Sequence, residues 1–184
     1  MKNHIITPFI SFLLFLLINS CSTVDFIKAY SSLNTDRNFK DQIFNKRDIT
    51  YKVGDLNQGW QLLDLEYGDL AFYNKSCNST ININSTCDST KSYKLTILSD
   101  SLLNGLQNKK LIERSIVRVN KEDGLESKYL GEFEKNKVKM SIVVYKNEYC
   151  IYDFSYVSDE VYFEKGYADY KKFVSDFELI ENEQ

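Results

Sequence analysis

The 184-residue chain has one histidine and one proline, His4 and Pro8, and both lie within the first ten residues. The rest of the chain therefore offers no Ser-His-Asp or Cys-His arrangement and no imidazole ligand for a metal ion. Histidine is also the commonest general base in enzymes. We therefore predict a protein that is not an enzyme, with no catalytic residues, no cofactor and no metal.

An excess of basic residues is also missing. The chain carries 23 Lys and Arg against 26 Asp and Glu, a net charge of −3. Nucleic-acid binding requires a basic patch that neutralises phosphates, so the composition argues against a nucleic-acid partner. An acidic body does not adhere to anionic headgroups by itself, so membrane attachment would need a separate anchor.

The amino terminus carries an apolar run that is too short to span a membrane. Lys2 precedes apolar residues 9–18, and Asn19 and Ser20 follow them. A basic start, a short apolar run and small residues before a cut site are typical of a secretory signal. A membrane span needs about 20 apolar residues. We therefore assign residues 1–20 to a signal peptide.

The stretch Ile18-Asn19-Ser20-Cys21 resembles the lipobox of bacterial lipoproteins. In that family the cysteine thiol is acylated, the chain is cut before it, and the new amine is acylated too. The resemblance implies lipidation of Cys21, with palmitate or a similar acyl group, on the cell membrane or outer membrane, facing the periplasm or the exterior. Two acyl chains anchor a protein stably, since each buried CH₂ contributes ~0.8 kcal/mol. The alternative is an ordinary signal peptide followed by a chance cysteine.

Three further cysteines are present, at positions 77, 87 and 150. In an oxidising compartment one disulfide and one remaining thiol are expected. Residues 79–86 alternate polar and β-branched side chains, which predicts a strand about 30 Å long between Cys77 and Cys87. A disulfide needs Cα atoms within ~7 Å. We therefore favour Cys87–Cys150, with Cys77–Cys150 as the second choice.

Periodicity predicts strands joined by turns, and two helices. Short strands are expected at residues 49–53, 62–65, 69–74 and 79–86, and residues 111–157 predict a meander of four long antiparallel strands. One helical stripe, with Ser92 as its cap and Gly105 near its end, consists of Leu95, Leu98, Leu102 and Leu106. The second consists of Phe163, Tyr167, Tyr170, Val174 and Phe177. We interpret both stripes as core, packed on a sheet.

These elements predict one α+β domain at residues 48–180, an antiparallel sheet of about six strands flanked by two helices. Residues 21–47 are interpreted as a lipidated tether, in which a short helix at 36–44 fits the pattern. Residues 181–184 are interpreted as a frayed tail.

Two side chains are candidates for a ligand or partner surface. Trp60 follows a turn and could stack on a ligand, although such a residue more often closes one end of a core. Asp153 lies among aromatic residues, where a carboxylate can have a raised pKa or can simply accept a bond from the backbone or a tyrosine. A hydrolase would need two carboxylates ~5–9 Å apart across a cleft, and no spacing, that of Asp153 and Glu132 included, indicates such a pair.

The order of elements resembles the PsbP-like fold, which small bacterial lipoproteins of the DcrB type share. The landmarks are Gly59-Trp60, Asp69-Leu70-Ala71-Phe72-Tyr73-Asn74, Tyr149-Cys150-Ile151-Tyr152 and Phe173-Val174-Ser175-Asp176-Phe177. The resemblance implies an antiparallel sheet between helices and mostly non-enzymatic binding or assembly roles.

The leading hypothesis is therefore a membrane-tethered, non-catalytic binding or assembly module of a bacterial cell envelope, with an envelope protein as partner. Its surface would be the sheet edge or the aromatic end near Trp60. The alternative is a carrier or sensor of a small apolar ligand or lipid, which predicts a cavity of ~300 Å³ or more between helix and sheet.

Overall fold

The structure is a computed structural model that describes residues 39–46, 49–65, 67–87 and 93–180. The predicted signal peptide, the lipidation site Cys21, the helix cap Ser92 and the tail at 181–184 all lie outside these residues. Within the described ranges, no helix combines the length and the apolar character that a bilayer crossing requires.

The described elements follow the chain as β1 (Phe39–Lys40), β2 (Ile43–Lys46), β3 (Ile49–Lys52), β4 (Trp60–Leu63), β5 (Leu70–Asn74), β6 (Ser79–Cys87), α1 (Leu95–Ser101), β7 (Gln107–Val119), β8 (Glu122–Phe133), β9 (Asn136–Lys146), β10 (Cys150–Asp159), a 3-10 turn (Glu160–Tyr162), α2 (Phe163–Ser175) and β11 (Glu178–Leu179). The α+β class, the antiparallel pairing and the two helices are as predicted.

Seven antiparallel strands form the main sheet, in the order β4-β5-β6-β10-β9-β8-β7. The predicted four-stranded meander is its β7 to β10 half. Pairing from β6 through β10 and β9 to β8 runs without a register shift. Side chains in this central part therefore alternate strictly between the two faces of the sheet.

A second sheet of four short strands, β1-β2-β3-β11, corrects the predicted tether. Residues 39–46 form a β-hairpin rather than a loose spacer or a helix at 36–44. Phe44 is buried, and its ring lies 5.1 Å from that of Tyr51. Phe39, the cross-strand partner of Phe44, is partly buried against the same core, so the folded body begins at least as early as Phe39.

The helix α2 packs on one face of the main sheet through the aromatic stripe that the sequence predicted. Tyr156 of β10 stacks on Tyr170 at 5.5 Å, and Phe154 lies 6.4 Å from Phe173. All four rings are fully buried. Burying a large side chain contributes roughly 1.5–3 kcal/mol, so this layer is the principal core.

The helix α1 lies on the opposite face and is shorter than predicted. It ends at Ser101, and a turn with Gly105 at φ +87° carries the chain into β7. Leu95 and Leu98 pack against a small cluster that includes Tyr129 and Ile142. The rest of the predicted stripe therefore lies in a loop, not on a helix.

Cys87 and Cys150 form a disulfide between β6 and β10, where they are direct cross-strand partners. This is the pairing that the sequence favoured. Cys77 is a free, buried thiol.

Candidate functional site

A groove runs along the face of the main sheet that α2 does not cover. It holds two adjoining chambers of about 320 and 330 Å³. Both chambers are lined by four of the same residues, Leu65, Asn82, Leu102 and Met140, so they form one continuous groove. The apolar-ligand hypothesis predicts a cavity of about this size between helix and sheet, and the first chamber agrees with it in volume.

The walls of the groove are apolar and come from two loops. Leu63 and Leu65 form one wall, where the chain leaves β4. The other wall is the turn after α1, which contributes Leu102, Leu103 and Leu106. The sequence analysis assigned Leu102 and Leu106 to the core alone. They do pack against the small cluster around Tyr129, but they also face the groove.

Gly131 of β8 allows the turn after α1 to approach the sheet. A Cβ atom at this position would lie 2.5 Å from Cγ of Leu106 and 2.9 Å from the carbonyl oxygen of Gln107. A side chain cannot be accommodated there without moving the backbone. The glycine therefore sets the position of one groove wall.

Ion pairing fixes α1 on the sheet. Asp100 at the end of the helix accepts hydrogen bonds from Arg114 Nη2 of β7 and from the Tyr129 hydroxyl of β8, each at 2.6 Å. The bond from Tyr129 is the largest influence that lowers the pKa of the Asp100 carboxyl, and Arg114 lowers it further. The helix is thus tied to two strands although it has only seven residues.

The floor of the groove is a ladder of polar pairs between β6 and β10. Asn78 donates to Asp159 at 3.0 Å. Farther along, Asn82 donates to Ser155 at 3.2 Å, and Asn84 donates to Asp153 at 3.1 Å; those two pairs are directly opposite each other in the register. This polar face of β6 lines the groove because α2 packs on the other face of the sheet.

Asp153 lies at the polar end of the groove, in the second chamber. Burial raises the pKa of its carboxyl above the usual range; the bond from Asn84 opposes the rise, and the negative charge of Asp69 adds to it. The raised pKa agrees with the functional interpretation of the sequence. The partner is an asparagine amide, rather than the backbone or a tyrosine.

Asp69 is a fully buried carboxylate that the sequence analysis did not single out. It accepts hydrogen bonds from Lys46 Nζ at 2.7 Å, from the Tyr51 hydroxyl at 3.1 Å and from the Ser85 hydroxyl. Burial and the nearby Asp69 charge raise the pKa of Tyr51 strongly. The cluster joins the small sheet to the main sheet, and no short-range sequence pattern signals it because its members come from four strands or loops.

Trp60 does not offer a stacking surface. Its side chain is 8% exposed, its indole N–H donates to Asp169 of α2 at 2.9 Å, and its ring lies 6.4 Å from that of Tyr156. The functional interpretation of Trp60 is therefore wrong, and the structural one is right: the residue closes one end of the aromatic core.

A second polar cluster lies on the α2 face of the sheet. Glu126 accepts hydrogen bonds from Ser141 and Tyr167, both at 2.6 Å. Burial raises the pKa of Tyr167 to about 12. Lys128 contacts Glu126 at 3.9 Å and Glu113 at 3.0 Å. The cluster is closed by its own bonds, so we interpret it as a structural contact between α2 and the sheet.

The two carboxylates weighed for a hydrolase do not meet. Asp153 faces the groove, whereas strict alternation from Glu126 places Glu132 on the α2 side of the sheet. In the described part of the chain, no three His, Cys, Asp or Glu side chains are grouped as metal ligands.

Comparison with known proteins identifies the fold. No family model matches the chain, and no curated protein sequence matches it. Among solved structures, the cyanobacterial PsbP protein CyanoP from Synechocystis sp. PCC 6803 superposes with a TM-score of 0.57 at 14% identity, covering 89% of this chain and 99% of that one. The PsbP-like fold expected from the sequence is thus confirmed.

Two further structures share this architecture. LpqN of Mycobacterium tuberculosis, described as involved in cell envelope biogenesis, has a TM-score of 0.53 at 9% identity and covers 86% of this chain and 96% of its own. PA94 of Pseudomonas aeruginosa, a protein of unknown function described as a putative regulator, has a TM-score of 0.51 at 10% identity, with coverages of 77% and 97%. At such identities the likeness concerns the fold.

Proposed function

We propose that this protein is a non-catalytic binding module of a bacterial cell envelope, tethered through acyl chains on Cys21, and that the groove between α1 and the main sheet is its binding site for an aliphatic ligand. The observation that carries the proposal is the first chamber. It has about 320 Å³ and is lined mainly by aliphatic side chains, and ligand sites typically occupy ~300–1,000 Å³.

The groove is a better candidate than the two surfaces favoured from the sequence. The aromatic end is closed, since Trp60 is buried and hydrogen-bonded. The long edge strand of the main sheet is β7, which exposes Ile112 and Ile116. Its pairing with β8 is interrupted at two places, between Gln107 and Lys110 and between Leu111 and Glu113. Breaks in the pairing and basic side chains on an edge strand are features that prevent a strand of another protein from pairing with it.

Envelope location is supported by the lipobox-like stretch that ends at Cys21 and by the likeness in fold to LpqN, a protein described as involved in cell envelope biogenesis. The folded body begins at Phe39 in the described residues. A fully extended chain from Cys21 to Phe39 would reach at most about 60 Å. The tether therefore would hold the start of the folded body within that distance of the membrane, where aliphatic ligands are concentrated.

A groove-filling substitution tests the proposal. Thr80 lies on the floor of the first chamber, and Thr80→Phe should abolish binding of 1-octanol by isothermal titration calorimetry, because the ring occupies the ligand volume. The protein for this test is the mature chain from residue 21 with Cys21→Ser, which keeps it free of lipid.

Thr86→Phe is the matched control. Thr86 is exposed on the same face of the same strand, outside the groove lining, so this variant should bind 1-octanol like the unaltered chain. Thermal melts establish that both variants fold. Absence of 1-octanol binding by the unaltered chain, or equal binding by a folded Thr80→Phe variant, would refute the proposed function.

A further inference from the structure

The charge of the groove lining is one-sided. The described residues that line the two chambers include Asp153 and Asp159 and no Lys, Arg or His. The two carboxylates lie on the same face of β10, six positions apart, which is about 20 Å along a strand. Apolar walls thus enclose a floor with an acidic group near each end.

Asp153 and Asp159 each accept a hydrogen bond from one asparagine amide. No lysine or arginine in the described part of the chain forms an ion pair with either carboxylate. Asp153 differs from Asp159 because the charge of a second carboxylate, Asp69, acts on it. Lys146, two positions away on the neighbouring strand, donates instead to the carbonyl oxygen of Tyr93 at 3.0 Å. Asp69, which adds negative potential at Asp153, is itself paired with Lys46 at 2.7 Å.

We infer that the ligand of the groove is an amphiphile with a cationic amine head, bound at the Asp153 carboxylate, and an aliphatic chain that extends into the first chamber between Leu65 and Leu102. This inference rests on the proposed function, because it specifies the ligand class of the same groove. The neighbouring groups Asn82, Asn84 and Ser155 add hydrogen-bond acceptors around the head.

An ammonium group supplies the positive charge that no described side chain places beside Asp153. It donates charge-assisted hydrogen bonds to a carboxylate that is partly removed from water, where such bonds are strong. A fatty acid is the wrong class, since its carboxylate would meet Asp153 or Asp159 with no cation to neutralise either. A neutral alcohol can occupy the apolar chamber but lacks the ionic contact.

Three probes of equal chain length separate these cases: octylamine, 1-octanol and octanoate, each titrated calorimetrically at pH 7 into the mature Cys21→Ser chain. We expect octylamine to bind about tenfold or more tightly than 1-octanol, the size of one hydrogen bond to a charged group, and octanoate to bind weakest. If 1-octanol does not bind, the proposed function fails. If 1-octanol binds but octylamine has no advantage, only the inference about the head group fails.

The Asp153→Asn variant tests whether the amine head group binds at Asp153. The variant should bind octylamine no more tightly than 1-octanol while its affinity for 1-octanol stays the same. Asp123→Asn is the charge-matched control, because Asp123 is exposed on β8 and pairs with Arg118; it should keep the full preference for the amine. A preference that survives Asp153→Asn, or that is lost in Asp159→Asn instead, would overturn the assignment.

Discussion

The carboxylate of Asp153 is partly buried beside Asp69, and burial and that charge raise its pKa against the bond from Asn84. We therefore expect its ionised form to weaken the fold at neutral pH. A residue that weakens a fold and lines its groove is a candidate for binding, since function is the usual reason to retain such a group. Asp69, in contrast, is buried more deeply but is paired with Lys46 and with two hydroxyl groups.

The stability of the Asp153→Asn variant should depend on pH in a defined direction. The pKa of the Asp153 carboxyl is higher in the folded chain than in the unfolded chain. Its stabilising contribution is therefore present below the unfolded pKa and is lost as the pH rises through the folded pKa. The variant should melt at the same temperature as the parent below pH 4 and about 2–4 °C higher at pH 7, the equivalent of ~1 kcal/mol in a domain of this size.

Thermal melts between pH 3 and pH 7 measure this difference, with Asp123→Asn as the control. Asp123 is exposed, so its replacement should bring no gain in melting temperature as the pH rises. An Asp153→Asn variant that melts below the parent at pH 7 would show that the ionised carboxylate is stabilised by the fold.

At the level of elements, α1 and the turn after it define the groove because the helix stops early. Its seven residues leave the stripe incomplete, and Leu102 and Leu106 continue it in a turn that lies close to β8. A helix that extended to Leu106 would have carried these side chains in a regular stripe over the sheet. The aromatic stripe of α2 is helical almost throughout, and its rings pack directly on the sheet.

Gly131→Ala should damage this wall. The new Cβ atom would meet the Leu106 side chain and the carbonyl oxygen of Gln107, so we expect a loss of about 1–3 kcal/mol in the free energy of unfolding, typical of overpacking. Chemical denaturation measures it. In a Leu106→Ala background the same substitution should cost less, because one of the two clashes is removed. An equal cost in both backgrounds would mean that Leu106 does not determine the position of the turn.

At the scale of the whole molecule, two sheets, two helices and the Cys87–Cys150 disulfide form the described body. The proposed membrane anchor, the acylated Cys21, precedes this body in the chain.

Mass spectrometry of the protein isolated from bacterial envelopes should find the amino-terminal residue to be Cys21, carrying acyl groups. Cys21→Ser should move the protein from the membrane fraction to the soluble fraction. Cys77→Ser is the control, since Cys77 is a buried thiol of the folded body, and this variant should remain with the membrane. A native chain with a free, unmodified thiol at position 21 would exclude the anchor.

Local patterns in the sequence were sufficient to predict most of the strands and helices, and the fold. Alternation over residues 111–157 predicted the meander, and the spacing of aromatic residues predicted α2, because both signals repeat over ten residues or more. The disulfide followed from strand geometry. The hairpin of residues 39–46 was missed because its strands are too short to show a period, and it is stabilised by contacts with distant residues such as Asp69 and Phe72.

The sequence by itself determined the α+β class, the main strands, the aromatic core and the absence of histidine chemistry, since each is a property of composition or of short-range spacing. Only the tertiary structure decided that Trp60 is buried, that Leu102 and Leu106 face a groove, and that Asp153 shares that groove with Asp159. The physical reason is that the groove exists where two loops do not cover a face of the sheet. The positions of those loops depend on contacts between residues far apart in the chain, such as Gly131 with Leu106.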